Sequence, residues 1–205
     1  MKDLRVAFEA ELRVGASARG FRSTARNEFE RPLDGDSLSH LSVPVSADRA
    51  SRTLHAIPTV CVIHSDVSAL VLRCAGSRGK GAVATVCRTL GLLQPSPRQT
   101  VWIIEDQESA SAAARAIWAL FDAVGTSFVD NYASRETAFH LLRSDLEWDE
   151  SLRTNVVLAL ATIIDPSGEG SRLLDGATNA IRDGHIRDVP RFSAFLSCLR
   201  EGMTL

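Results

Sequence analysis

The chain has 205 residues, of which 45% are hydrophobic and 23% charged, and its net charge is -2. That composition excludes a disordered chain, which needs low hydrophobicity and high net charge, and a generally cationic nucleic-acid binder. One globular domain with a buried core is the expectation.

The charge is unevenly spread. Residues 1–100 hold 14 Lys/Arg against 9 Asp/Glu, residues 101–165 hold 4 against 11, and residues 166–205 hold 5 of each. A local field of one sign steers a partner of the other. The N-terminus MKDLRVAFEAEL lacks the apolar core of a secretory signal. No run of about 18 apolar residues marks a membrane span. A cytoplasmic protein with no membrane partner is therefore expected.

Along the chain, Leu4, Phe8 and Leu12 form one stripe of a helix over 3–18, with Gly20 as its stop. Phe21–Phe29 reads as a short polar edge strand, and Pro32-Leu-Asp-Gly-Asp as a turn. Ser39–Val45 alternates, placing Leu41, Val43 and Val45 on one face. Leu54–His64 is rich in β-branched residues and reads as a long strand, with Pro58 marking an edge or a bulge. His64-Ser-Asp reads as a hairpin turn into a third strand, Ala69–Cys74.

The glycine loop Gly76–Gly81 follows, then a predicted helix over Ala82–Leu93 and a strand over Thr100–Glu105. That last strand turns Trp102 and Ile104 inward, or Val101 and Ile103 if it slips by one. From Asp106 the period becomes helical. Ser109–Val124 is a helix broken by Gly125, and Ser134 caps a short helix that follows. Leu152–Ile164 is a nearly all-apolar helix paired through Pro166-Ser-Gly with Glu169–Arg182, and a last helix covers Pro190–Arg200. No second copy at a fixed period marks a repeat array.

Motifs for chemistry are sparse. A strand, glycines with Arg78 and Lys80, then a helix is the layout of a phosphate cradle. The P-loop pattern fails, however, because Lys80 is followed by Gly81 and Ala82 and no hydroxyl is left for Mg²⁺. The five histidines, His40, His55, His64, His140 and His185, show no metal-ligand spacing, and on one regular strand His55 and His64 point to opposite faces. Cys61, Cys74, Cys87 and Cys198 form no CxxC pair and read as buried free thiols in a reduced compartment. No catalytic residue, metal ligand or cofactor is assigned. Asp145, Glu147, Asp149 and Glu150 surround Trp148. The plain reading is a solvated helix start. The functional reading is a protein-binding face anchored by an aromatic.

The run TVWIIEDQESASAAARAIWALFDAVGTSFVDNYASRETAFHLL, with Gly20-Phe21-Arg22 earlier, resembles a pattern in small bacterial proteins of unknown function. There a helix, a Gly-Phe-Arg/Lys turn and an antiparallel sheet precede a Trp-containing strand and a helical end. Similar small acidic-faced proteins stand beside secreted bacterial toxins as immunity proteins, so the resemblance implies binding rather than catalysis.

The expected fold is α+β: an N-terminal helix, an antiparallel sheet of about four to five strands, and a helical C-terminal region. It forms a single domain with a strand-rich half, 1–106, and a helical half, 107–205. The expected function is a non-enzymatic immunity protein that occludes a basic toxin through Asp130, Asp145, Glu147, Trp148 and Asp149. The alternatives are a nucleotide- or phosphate-binding protein using Arg78 and Lys80, and an assembly subunit docking through the helical hairpin 152–182.

Overall fold

The computed structural model describes residues 1–77, 81–144 and 151–203. The class is α+β, with an N-terminal helix, a five-stranded antiparallel sheet, a second sheet of three strands and a helical C-terminal region. The chain divides into two compact units that interleave: residues 1–62 with 87–131, and residues 63–86 with 132–205.

In the first unit, α1 (Lys2–Ser17) buries Phe8, Leu12 and Ala16 at successive turns. Gly20 ends the chain's turn at φ +73°, and the Phe21 N–H donates back to Ala16 O at 3.0 Å. This is the left-handed stop that glycine makes at little cost. The stretch expected as one edge strand is a hairpin, β1 (Arg22–Ala25) and β2 (Glu28–Pro32), because Asn27 adopts φ +57° and turns the chain. Asn tolerates that region better than most residues. β2 pairs antiparallel with β3 (Ser37–Ser42), which stops short of the expected Val45. Val45 instead opens β4 (Val45–Asp48), in the other sheet.

The long strand expected over Leu54–His64 is two strands, β5 (Thr53–Ala56) and β6 (Thr59–His64), in different sheets. Pro58 has no N–H for a ladder, so the chain leaves one sheet at this point and enters the other. The helix expected over Ala82–Leu93 is a strand, β7 (Val86–Thr89), followed by a tight 3₁₀ turn at Leu90–Leu93. Val83, Thr85, Val86 and Thr89 are β-branched and favour the extended form. The five-stranded sheet runs β1-β2-β3-β6-β7. The three-stranded sheet runs β4-β5-β8, with β8 (Trp102–Ile104) at an edge. Ile104 is fully buried and Ile103 is 54% exposed, so the strand takes the first of the two expected registers.

Asp106 starts α3 (Gln107–Leu120) with a capping box, its carboxylate accepting from the Ser109 N–H at 2.8 Å. Gly125 does not break this helix. A wide turn over Phe121–Gly125 carries it into α4 (Thr126–Tyr132), with the Thr126 N–H donating to Phe121 O. Gly125 is needed for contact: a Cβ there would lie 2.7 Å from the Phe121 ring and 3.1 Å from Leu90. The 26-residue run Gln107–Tyr132 contains an 18-residue window of mean hydropathy 1.2, long and apolar enough to cross a membrane by length and composition alone. Here its apolar face is core, with Ala113, Ile117, Trp118, Phe121 and Val129 buried.

Trp118 centres that core. Its ring lies 5.5–5.8 Å from those of Phe21, Phe29 and Phe121, and its indole N–H donates to Leu12 O at 3.0 Å. α1 approaches closely because position 15 is glycine: a Cβ there would sit 2.2 Å from Trp118 Cδ1.

In the second unit the expected turn at His64–Asp66 and strand Ala69–Cys74 are one helix, α2 (Ser65–Cys74). ALVLRC passes for an alternating strand, yet Val67, Val71 and Cys74 fall at i, i+4 and i+7 and are all buried. α5 (Arg135–Arg143) begins at the expected Ser134 cap. α6 (Leu152–Ile164) is the apolar centre, with Val156 through Ala161 buried. It packs against α2, α5 and α7 (Ser171–Arg182). Between α6 and α7 the Asp165 carboxylate accepts from the Gly168 and Glu169 N–H groups at 3.0 and 2.9 Å. Glu169 is shared by Arg143 and by Arg172, the latter at 2.7 Å. α8 (Val189–Gly202) closes the unit against α2 and α7.

The cysteines are not free thiols. Cys61 on β6 bonds Cys87 on β7, and Cys74 on α2 bonds Cys198 on α8. Spacing alone concealed both pairs, since neighbouring strands and packed helices bring together residues 26 and 124 positions apart.

Candidate functional site

Folding uses several of the acidic groups that make residues 101–165 negative. Asp106 caps α3, and its Ser109 partners hold the carboxyl below the ordinary range. Glu136 lies in the first turn of α5, and its carboxyl too is held low, first by its own backbone N–H and then by the Ser134 hydroxyl. Asp122 is gripped by Arg19 through two hydrogen bonds of 2.7 and 2.5 Å. Asp165 ties the α6–α7 turn. Glu105, Glu108 and Asp130 remain exposed. Asp130 stands on α4, and the other four predicted contacts, Asp145, Glu147, Trp148 and Asp149, lie outside the described residues. Beside Glu105, the edge strand β8 exposes Ile103, and Val101 just before it is 41% exposed.

Arg78 and Lys80 also lie outside the described residues. The elements on either side do not match a phosphate cradle, which needs a strand before the loop and a helix after it. Here α2 precedes the loop and β7 follows it.

His55 and His64 fall in different sheets. Among the described residues no three His, Cys, Asp or Glu gather as a metal-binding group. His64 is a pin inside the second unit. It is 1% exposed, and its Nε2 lies 3.0 Å from Ala133 O. A carbonyl only accepts, so Nε2 carries the proton. Nδ1 is then the acceptor for the Thr85 hydroxyl, at 2.9 Å, while the His64 backbone N–H donates to Thr85 Oγ1 at 3.1 Å.

Burial pushes the His64 pKa below 6.5, against a smaller raising effect from the Ala133 carbonyl. The unfolded chain therefore takes this proton at higher pH than the folded one. The resulting stability is complete above about pH 6.5 and is lost as pH falls towards the folded pKa. The urea midpoint is expected to fall between pH 7.5 and pH 5.5, and to fall less in His64→Gln, which has no proton to gain. Equal slopes in both proteins would contradict this account.

The second unit also holds a half-open cavity of about 280 Å³. α2 contributes Val71, Leu72 and Ala75, and the segment before β7 contributes Val83. α8 contributes Phe192 and Phe195, whose rings stack within 10° of parallel at 6.4 Å. Leu152 and Asn155 enter from the first turn of α6, and Asp188 and Arg191 from the start of α8. Asp188 caps α8, accepting from the Arg191 N–H at 3.3 Å. The Asn155 Oδ1 is buried and has no hydrogen-bond partner among the described residues. None of these residues was picked out by sequence reasoning. The available signal was Asn155 itself, an amide inside the otherwise apolar run NVVLALATII.

Comparison with family models, with characterised proteins and with solved structures finds no match to this chain.

Proposed function

We propose that this chain is a non-enzymatic binding protein, in its most concrete form an immunity protein that neutralises a basic toxin by occlusion. The observation that carries the reading is in the first unit. Ile103, 54% exposed on the edge strand β8, lies beside exposed Val101 and close in sequence to exposed Glu105 and Glu108. An apolar centre with an acidic rim is what a protein partner with a cationic surface would cover, and a free strand edge offers backbone groups for pairing. Asp130 and the acidic run around Trp148 extend the charge along the sequence.

The resemblance to small bacterial proteins of this build carries into the proposal, and the cytoplasmic setting expected from the sequence stands against the disulfides. The paired cysteines favour an oxidising compartment instead, and counting thiols in the native protein separates the two.

The test is capture of partners by the tagged full chain from its host, followed by association kinetics with what is captured. A stoichiometric, basic partner is expected. Reversing charge at Glu105, Glu108 and Asp130, and separately at Asp145, Glu147 and Asp149, is expected to slow association at least about tenfold at low salt. Unchanged association in both variants would refute the acidic face.

A further inference from the structure

We infer that the partner is held by strand addition: an extended segment of it, carrying a basic residue, pairs along the free edge of β8 and lengthens the sheet β4-β5-β8 by one strand. The inference rests on the acidic-rimmed face proposed above and states how that face grips. Register shows where the backbone of β8 points. The Ile57 N–H donates to Pro44 O at 3.2 Å, so the β4–β5 pairs that exchange hydrogen bonds are every second one, and Ser46 with His55 is among them. His55 therefore turns its N–H and C=O to β4, and its pair with Ile103 is of the kind without hydrogen bonds. Leu54 and Ala56 bond Ile104 and Trp102, which leaves the N–H and C=O of Ile103 directed away from β5. Neither has a hydrogen-bond partner among the described residues.

Strand edges are usually blunted against unwanted pairing. The other described edges are: β1 shifts register between Ser23 and Ala25, β7 exposes Arg88, and at β4 the Arg5 guanidinium donates to Val45 O at 3.4 Å. β8 reads Trp-Ile-Ile, without charge or proline, and keeps a regular register. Alternation places the side chains of Val101, Ile103 and Glu105 on one face, and all three are exposed. Charge selects the occupant. Glu105 and Glu108 are both exposed, so a second copy paired at this edge would bring two acidic rims together. A basic side chain opposite Glu105 instead makes a favourable cross-strand pair.

The experiment titrates the full chain with the acetylated, amidated peptide Arg-Thr-Val-Thr-Val-Thr, followed by the amide NMR signal of Ile103. Saturable binding is expected, with the Ile103 N–H protected from hydrogen exchange in the complex. Two further peptides carry N-methyl groups on the valines or on the threonines. The set whose amides face β8 is expected to bind at least about tenfold more weakly, and the other set to change little. Ile103→Pro removes the outward N–H and no ladder bond, and is expected to abolish binding, whereas Ile103→Thr keeps the N–H and retains it. No saturable binding, or equal effects of the two N-methylated sets, would overturn the inference, as would unaltered binding in a folded Ile103→Pro protein. A dimer in solution that Ile103→Pro dissociates would put a second copy at the edge and overturn it too. Binding that falls on Glu105→Lys with Glu108→Lys yet ignores the amide pattern would overturn strand addition and leave the acidic face standing. An intact amide pattern without charge dependence would support strand addition and refute the acidic face.

Discussion

Replacing Trp118 by alanine is expected to cost about 3–5 kcal/mol of stability, measured by urea unfolding followed by far-ultraviolet circular dichroism. The side chain is 2% exposed and contacts three other aromatic rings, so its removal leaves a large void that the surrounding helices and sheet close only in part. Trp118→Phe is expected to lose less, since it keeps a ring but leaves Leu12 O without the indole donor, a loss of about 1 kcal/mol for the hydrogen bond alone. Gly15→Ala gives a sign test at the same contact. In an ordinary helix interior that change stabilises by up to about 1 kcal/mol. Here the new Cβ would meet Trp118 Cδ1 at 2.2 Å, so the variant is expected to be destabilised. A neutral or stabilising Gly15→Ala would mean that α1 and α3 are not packed as described.

The second large effect belongs to the disulfides. Chain-entropy arguments assign about 5 kcal/mol to a bond closing 124 residues and about 3.5 kcal/mol to one closing 26. Cys74→Ser with Cys198→Ser is therefore expected to lower stability on the order of 2–5 kcal/mol, and more than Cys61→Ser with Cys87→Ser. Thiol titration of the unfolded, unreduced protein is expected to find no reactive thiol, and four after reduction. Four thiols without reduction would restore the reduced-compartment reading.

The α+β class, the first helix and the cap at Ser134 were legible because each has a local cause. Burial stripes, alternation and side-chain oxygens near helix starts act within a few residues. The errors cluster between residues 54 and 93, where local signals compete. Pro58 sits within β-branched residues, and only the tertiary structure decides that it separates two sheets. ALVLRC satisfies two periods at once, and packing on α6 selects the helical one. Gly125 has the look of a breaker, yet its missing side chain is filled by Phe121 and Leu90. The cavity was invisible for a different reason: its lining comes from three helices separated in sequence by up to about 120 positions, and only Asn155 gave any local sign.

The interleaving of the two units has a consequence for how the chain matures as it emerges from the ribosome. Cys61, Cys74 and Cys87 appear first, spaced 13 residues apart. Only the outer two are native partners, while Cys74 waits for Cys198 near the end of the chain. Through most of synthesis one thiol of the three is surplus, and equally close to two wrong partners. Correct oxidation therefore depends on β6 and β7 aligning early enough to occupy Cys61 and Cys87. A nascent chain oxidised too soon would carry Cys74 in a scrambled bond that only a disulfide isomerase could resolve.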